Sequence, residues 1–492
     1  MKKVLLIGAS AAALLAAAPA IAQVNNSSSV TQTGTDGKAT VSQSGSGATS
    51  VVAQGGDDNS ATVSQKGAGA YSSVKQDNGT GSPDDDNKAT VTQDGDSESF
   101  VTQVNDNAEA VVNQTGDGHS SIVAQSGDND YAKVDQTGAG NSSGIGQTGN
   151  NNDALVSQGG SDNGSAILQS GGANLATLIQ RNEGNVSEIA QTSGLNDALV
   201  QQTGSDNRST VTQQGGVLGV ASNSVNVLQD GDENLSQVTQ GGFGNDAGDG
   251  SRQNVRGVVQ SGANNSSTVL QNGGLQNAFV SQSGDANTSF LDQGGNLGAS
   301  HDATVLQSGS FNTSSVVQRG LVSEALVNQK GDNGTATVSQ GAIGSHLADI
   351  DQAGSGNSAT IGQLGLNQVA YIDQLVGSAD NNGSIDQGGL SGENHFAQLT
   401  QSSSGGTATI VQRGDTQSAT VTQGGVSNGS AISQSGNDSL ATVTQTGTDN
   451  ESSILQSGSL NTATVSQASY GNMSTIAQNG SNLTATVNQG GN

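Results

Sequence analysis

Along most of the chain, small or aliphatic residues alternate with polar ones in short runs that end on a glutamine. Ala39-Thr40-Val41-Ser42-Gln43 and Ala132-Lys133-Val134-Asp135-Gln136 are two such runs. The glutamine recurs at Gln32, Gln43, Gln54, Gln65 and Gln76, each 11 residues from the last, and keeps that step from Gln103 through Gln213 and from Gln401 through Gln489. Two residues before it stands Val or Ile (Val63, Ile145, Ile361), and four before it Ala or Ser (Ala61, Ser143, Ala463). Six before it Asn is common (Asn59, Asn152, Asn207), and two after it comes Gly (Gly45, Gly138, Gly354). These positions share one parity, so on an extended strand they face the same way, while Thr, Ser, Asp and Lys face the other. Alternation with β-branched residues predicts strands, and the glycine followed by Gly, Asp or Asn predicts tight turns. Because 11 is odd, only a turn in every unit keeps the glutamines on one face. Two units then make a strand-turn-strand rung of about 22 residues, and rungs stacked at about 4.8 Å give two facing parallel sheets. The predicted fold class is an all-β solenoid, a rod on the order of 95 Å long for twenty rungs.

Composition sharpens this picture. Among 492 residues there are 73 Gly, 2 Pro and no Cys or Trp, and aromatics make up 2 %. A layered enzyme of this length needs large side chains to fill its centre, so the composition argues against an enzyme. A thin interior of Ala, Val, Ile and amides does not need them. A disordered acidic chain has no reason to keep a fixed repeat. The net charge of −28 makes nucleic acid and anionic lipid poor partners. No cysteine is present, so no disulfide supports the chain.

Amides on the buried parity are the costly element, since an unpaired amide in a dry interior costs several kcal/mol. Stacking solves this, because an identical amide one rung away both donates and accepts. One ladder is predicted along Gln103, Gln125, Gln147, Gln169, Gln191 and Gln213. The facing ladder is predicted along Gln114, Gln136, Gln158, Gln180 and Gln202.

Gln352-Ala353-Gly354-Ser355-Gly356-Asn357-Ser358-Ala359-Thr360-Ile361-Gly362-Gln363 reads Q-x-G-x-G-N-x-A-x3-Q. It resembles the curlin repeat of curli amyloid subunits. Gln136 through Asn141 to Gln147 matches with Ser143 in place of the Ala, and weaker copies cover nearly the whole chain after residue 22. The resemblance implies a curlin-like β-solenoid in which Gln352, Gln363, Asn141 and Asn357 are ladder residues. It also implies export through the outer membrane, and self-assembly into extracellular fibres for cell adhesion and biofilm matrix. Nucleator and outer-membrane export proteins are the implied partners. Repeats running to Gln489-Gly490-Gly491-Asn492 without a capping element predict a homopolymer joined through exposed terminal rungs.

Lys2 and Lys3, the apolar run Val4–Ala18 and the small residues Ala20-Ile21-Ala22 predict a secretory signal peptide over 1–22, cleaved near Ala22. Residues 23–492 are then one repeat region outside the cell or on its surface, with no membrane span. Breaks in the period predict loop insertions near 77–88, 215–225, 241–255, 294–303 and 375–400. No catalytic, metal or cofactor site is predicted. His119, His301, His346 and His395 lie in different repeats without metal-ligand spacing and read as incidental. Gly241-Gly242-Phe243-Gly244-Asn245-Asp246 resembles a single calcium-binding nonapeptide and reads as a loop within an insertion, and Asp84-Asp85-Asp86 as an exposed acidic loop. Two other functions fit a solenoid: a monomeric surface adhesin, and an ice-binding rod displaying Thr-x-Thr rows such as Thr90/Thr92, Thr210/Thr212, Thr420/Thr422 and Thr442/Thr444.

Overall fold

The computed structural model describes residues 25–77, 86–104, 106–215, 223–247, 257–341 and 344–490. The predicted signal peptide, Asp84, Asp85 and much of the insertions near 77–88, 215–225 and 241–255 lie outside the described residues. Among the described residues every regular element is a strand, and there is no helix. Strands pair in parallel with the strand two units further along the chain. Tyr131–Ala139 is flanked by Glu109–Asp117 and Asp153–Ser161, and Ser142–Asn150 by Ser120–Ser126 and Gly164–Gly172. The chain is therefore a β-solenoid of about 20 turns, with rungs 22 residues apart where no insertion intervenes. Strands beginning with Ser27–Thr33 form the first sheet, and those beginning with Lys38–Gln43 form the second.

The repeat dictates burial directly. In Asp153–Ser161, Ala154, Val156 and Gln158 are buried while Asp153, Leu155 and Ser157 face outward. One continuous core runs the length of the rod, built from Val, Ile, Leu and Ala at the inward positions of both sheets. Through the first half of the rod the position four before the glutamine divides by sheet, although Ala336, Ala359 and Ala408 occupy it later in the first sheet. It is Ser99, Ser121, Ser143, Ser187 and Ser209 in the first sheet and Ala110, Ala132, Ala154, Ala176 and Ala198 in the second, all buried.

Each turn is shaped by stacking as well as by backbone. Gly138 has φ +105°, and a Cβ placed there would lie 2.0 Å from the carbonyl oxygen of Gly160 in the next rung. Only glycine satisfies both the left-handed backbone and that approach. Two residues later a second left-handed residue completes the turn, Asn129, Asn151, Asp162 or Gly140 in much of the rod, but Leu195, Leu275, Phe311 and Leu460 elsewhere.

The breaks in period do not interrupt the stack. Gln65 pairs with Gln93 and Gln213 with Gln240 in register, although residues between the units are added. Residues 294–303, expected as a loop, belong to a strand Thr288–Ser308 that passes from the first sheet to the second, with its register shifted between Gly295 and Ser300. The small glycines there let extended backbone round the corner without a separate turn. Gly241–Asp246 is also not in an inserted loop. Gly241–Phe243 ends one strand, Asn245 occupies the usual Asn position and Asp246–Ala247 begins the next strand against Ser224–Val225.

Candidate functional site

Two files of glutamine side chains occupy the interior. In the first sheet the Nε2 of Gln103 donates to Oε1 of Gln125 at 2.9 Å, and the chain of donors continues through Gln147, Gln169, Gln191 and Gln213. In the second sheet Gln114 donates to Gln136, then Gln136 to Gln158, Gln158 to Gln180 and Gln180 to Gln202, at 2.8–2.9 Å. Gln352 lies in the second file between Gln329 and Gln374, and Gln363 lies in the first between Gln340 and Gln387. The files bridge the insertions too, with Gln202 reaching Gln229 at 2.7 Å and Gln229 reaching Gln260 at 2.8 Å. Every amide points its N–H the same way, toward the later rung. The second hydrogen crosses the core: Gln147 donates to the Tyr131 carbonyl of the opposite sheet at 2.9 Å, and Gln158 to that of Ser142 at 3.0 Å. Each glutamine thus ties the rod along its axis and holds the two sheets together.

A second pair of columns runs at the corners, six residues before each glutamine. Asn163 donates from its backbone N–H and from Nδ2 to Oδ1 of Asn141, at 3.0 and 3.1 Å. Asn141 itself holds the Thr137 and Gly160 carbonyls of its turn and the next. Asn357 accepts the Asn381 N–H at 3.0 Å and donates to the Ser378 hydroxyl.

A sequence profile described as the curlin associated repeat matches residues 34–67, 105–138, 127–160, 188–215, 345–378 and 436–468. The chain is a curlin-repeat protein. Among curated proteins, none matches it. The curlin repeat is a structural module, and here the matched segments are places where the spacing of the glutamines is nearly regular. Residues 216–344 fall outside any matched segment, yet both glutamine files continue through them, as in Gln240 to Gln271 and Gln307 to Gln329. The geometry of the curlin repeat therefore extends well past its recognisable sequence.

The histidines are not incidental: all four occupy the corner column of the curlin repeat. His119 accepts the Asn141 N–H on Nδ1 at 3.2 Å, and its Nε2 lies 3.1 Å from the Thr115 carbonyl, so a neutral ring takes both roles of an asparagine. His395 likewise accepts the Gln417 N–H at 3.3 Å, and His346 Nε2 lies 2.8 Å from the Gly341 carbonyl. Aligning each histidine on the glutamine six residues later is the signal that finds this. On the outer face of the second sheet, burial, with Asp373, Asp351 and Glu324 nearby, pushes the Asp349 carboxyl up to about 6. Of the Thr-x-Thr rows, Thr420/Thr422 and Thr442/Thr444 stack on one face, whereas Thr90/Thr92 and Thr210/Thr212 lie on different sheets. Among the described residues no group of His, Asp or Glu is arranged to hold a metal ion, and no helix is long and apolar enough to cross a membrane.

Proposed function

We propose that this protein is a secreted structural subunit that polymerises end to end into amyloid-like extracellular fibres, serving adhesion and biofilm matrix. The observation that carries the reading is the polarity of the glutamine files. In the described residues no strand lies beyond Ser27–Thr33 and Lys38–Gln43 at one end, or beyond Met473–Ser481 and Thr484–Gln489 at the other. The last rung points amide donors outward, while Gln32 at the first rung offers its acceptor oxygen. A second copy added head to tail would set Ser28, Val30 and Gln32 on Ser474, Ile476 and Gln478, and Ala39 and Val41 on Ala485 and Val487. Each contact then repeats one already made inside the rod. Such a heterologous contact does not close on itself and grows as a filament. Nucleator and export proteins fit this reading as partners, with a signal peptide at 1–22 directing export.

The test is sedimentation and electron microscopy of the chain lacking residues 1–22 over hours of incubation. Fibres with a repeat near 4.8 Å along their axis are expected. Val30→Lys, at a residue 47 % exposed on the first rung, is expected to stop elongation while the circular dichroism of the rod persists. A single rod that stays monomeric at high concentration overturns the fibre reading and favours the surface adhesin.

A further inference from the structure

We propose that His301, His346 and His395 form an acid-operated weak segment of the rod, which loosens the second sheet's corner between Gln276 and Gln417 while the first sheet stays paired in the same rungs. The inference rests on the fold alone and does not require polymerisation. In consecutive rungs that corner carries Gln276, His301, Ser323, His346, Gln368, His395 and Gln417. All seven are buried. Orphaned polar atoms concentrate there: both amide atoms of Gln276, the Ser323 hydroxyl, His346 Nδ1, Gln368 Oε1, His395 Nε2 and Gln417 Oε1 have no hydrogen-bond partner. The corresponding corner of the first sheet is closed. Asn287 and Asn312 donate to the Oδ1 below them at 3.1 and 3.0 Å, and Asn381 and Gly406 do so at 3.0 and 2.7 Å.

The chemistry of the rings supplies the trigger. A neutral imidazole imitates asparagine in full at His119, where one nitrogen accepts the next rung's N–H and the other meets a turn carbonyl; in this segment His395 makes only the first of these bonds, His346 only the second, and both nitrogens of His301 lack a partner. A proton added at His395 Nδ1 would set an N–H against the Gln417 N–H and place a cation in the core. Water has a route to the middle ring, because a cavity of about 400 Å³ opens beside Asp302, Ser323, Glu324, His346 and Gln368.

Arg319 opposes a charge on His301, and Arg413 opposes one on His395 while Asp415 favours it. Asp302 and Glu324 share the cavity with His346. The remaining corner neighbours, Gln276, Ser323, Gln368 and Gln417, are uncharged. Burial is the main influence and holds all three imidazoles below the ordinary value of 6.5. The folded form then binds these protons less readily than an opened one, so the segment is fully held above pH 6.5 and weakens as pH falls below it. Asp302, Asp349 and Asp373 act in the opposite sense, because burial raises each of them, neighbouring carboxylates add to it at Asp349 and Asp373, and acid relieves that cost.

Hydrogen exchange of the intact chain at pH 7.5 and pH 5, corrected for intrinsic rates, separates these effects. The second-sheet strands Ser345–Gln352, Gln368–Gln374 and Phe396–Gln401 are expected to open about tenfold more at pH 5 for each proton that the open form binds one unit more readily. The strands Thr335–Gly341 and Ser358–Leu366 of the first sheet are expected to hold. The triple variant H301N/H346N/H395N restores the residue the column uses elsewhere and is expected to abolish the response. D349N keeps the histidines, removes the opposing relief and is expected to enlarge it. An unchanged response in the triple variant, equal opening of both sheets, or NMR showing charged imidazoles without faster exchange overturns the proposal.

Discussion

The central glutamine files and the corner columns stack with the same rung spacing, yet they tolerate substitution very differently. Every described rung places glutamine in the file, from Gln32 to Gln478 in one sheet and from Gln43 to Gln489 in the other. The corners carry Asn163, Ala108, Ser97, His119, Asp130, Gln276 and Leu483 at equivalent places. The difference lies in what each amide must satisfy. A file glutamine is sealed in the core, where it serves its own column and a carbonyl of the opposite sheet. A corner residue lies against its turn, and a missing side chain there leaves backbone N–H and C=O groups that still pair rung to rung, as Glu109 does with Asp130 beside Ala108. Periodic stacking alone does not demand an amide; stacking in a dry centre does.

The widest separation between the two columns is expected from one substitution in each. Gln158→Leu keeps the volume of the side chain but leaves Gln180 Oε1 and the Ser142 carbonyl without the donor that served them, and takes from Gln136 its acceptor along the file. At roughly 1–3 kcal/mol for each orphaned buried group, the rungs around it should lose about 2–6 kcal/mol, read as local acceleration of hydrogen exchange. Asn163→Ala, in a column that already accepts alanine, releases the Asn182 carbonyl at a partly solvated turn and the Asn185 N–H that its Oδ1 accepts, and should cost less, about 1–3 kcal/mol. Equal losses at both positions would show that the files owe their constancy to something other than burial.

Much of this was legible in the sequence, and the illegible parts have physical reasons. The 11-residue spacing and shared parity of Val134, Gln136 and Gly138 were enough to give strands, turns and the two-sheet stack. The glutamine pairs follow from the same register. The division of Ser143 from Ala154 between sheets was present at a period of 22 but hidden when all units were superposed. The role of the histidines is invisible in ligand spacing, because it lies in the position they share, six residues before the glutamine. The glycines at 294–303 suit a loop as well as a strand rounding the corner, and the left-handed turn at Leu460, with φ +58°, follows no local preference. There the neighbouring rungs impose the backbone on residues that would not choose it.

The serine column offers the smallest test and the one with an unusual sign. Ser143 is 4 % exposed and its hydroxyl has no partner, as is true of Ser121 and Ser165 in the rungs on either side. Earlier in this column Ser72 donates to Ser50 at 3.2 Å, but Ser121, Ser143 and Ser165 do not meet one another across the rung spacing of about 4.8 Å. The facing sheet offers alanine at this level, so nothing opposite accepts the bond either. Burying a hydroxyl without a partner costs free energy, and Ser143→Ala removes it with almost no change in volume. The variant is expected to be neutral or up to about 1 kcal/mol more stable, measured by urea titration or by protection of Ser142–Asn150. A loss of more than about 1 kcal/mol would mean that the hydroxyls of the first sheet hold a partner such as buried water, and that the sheets differ at this level by design of a polar column rather than by tolerance.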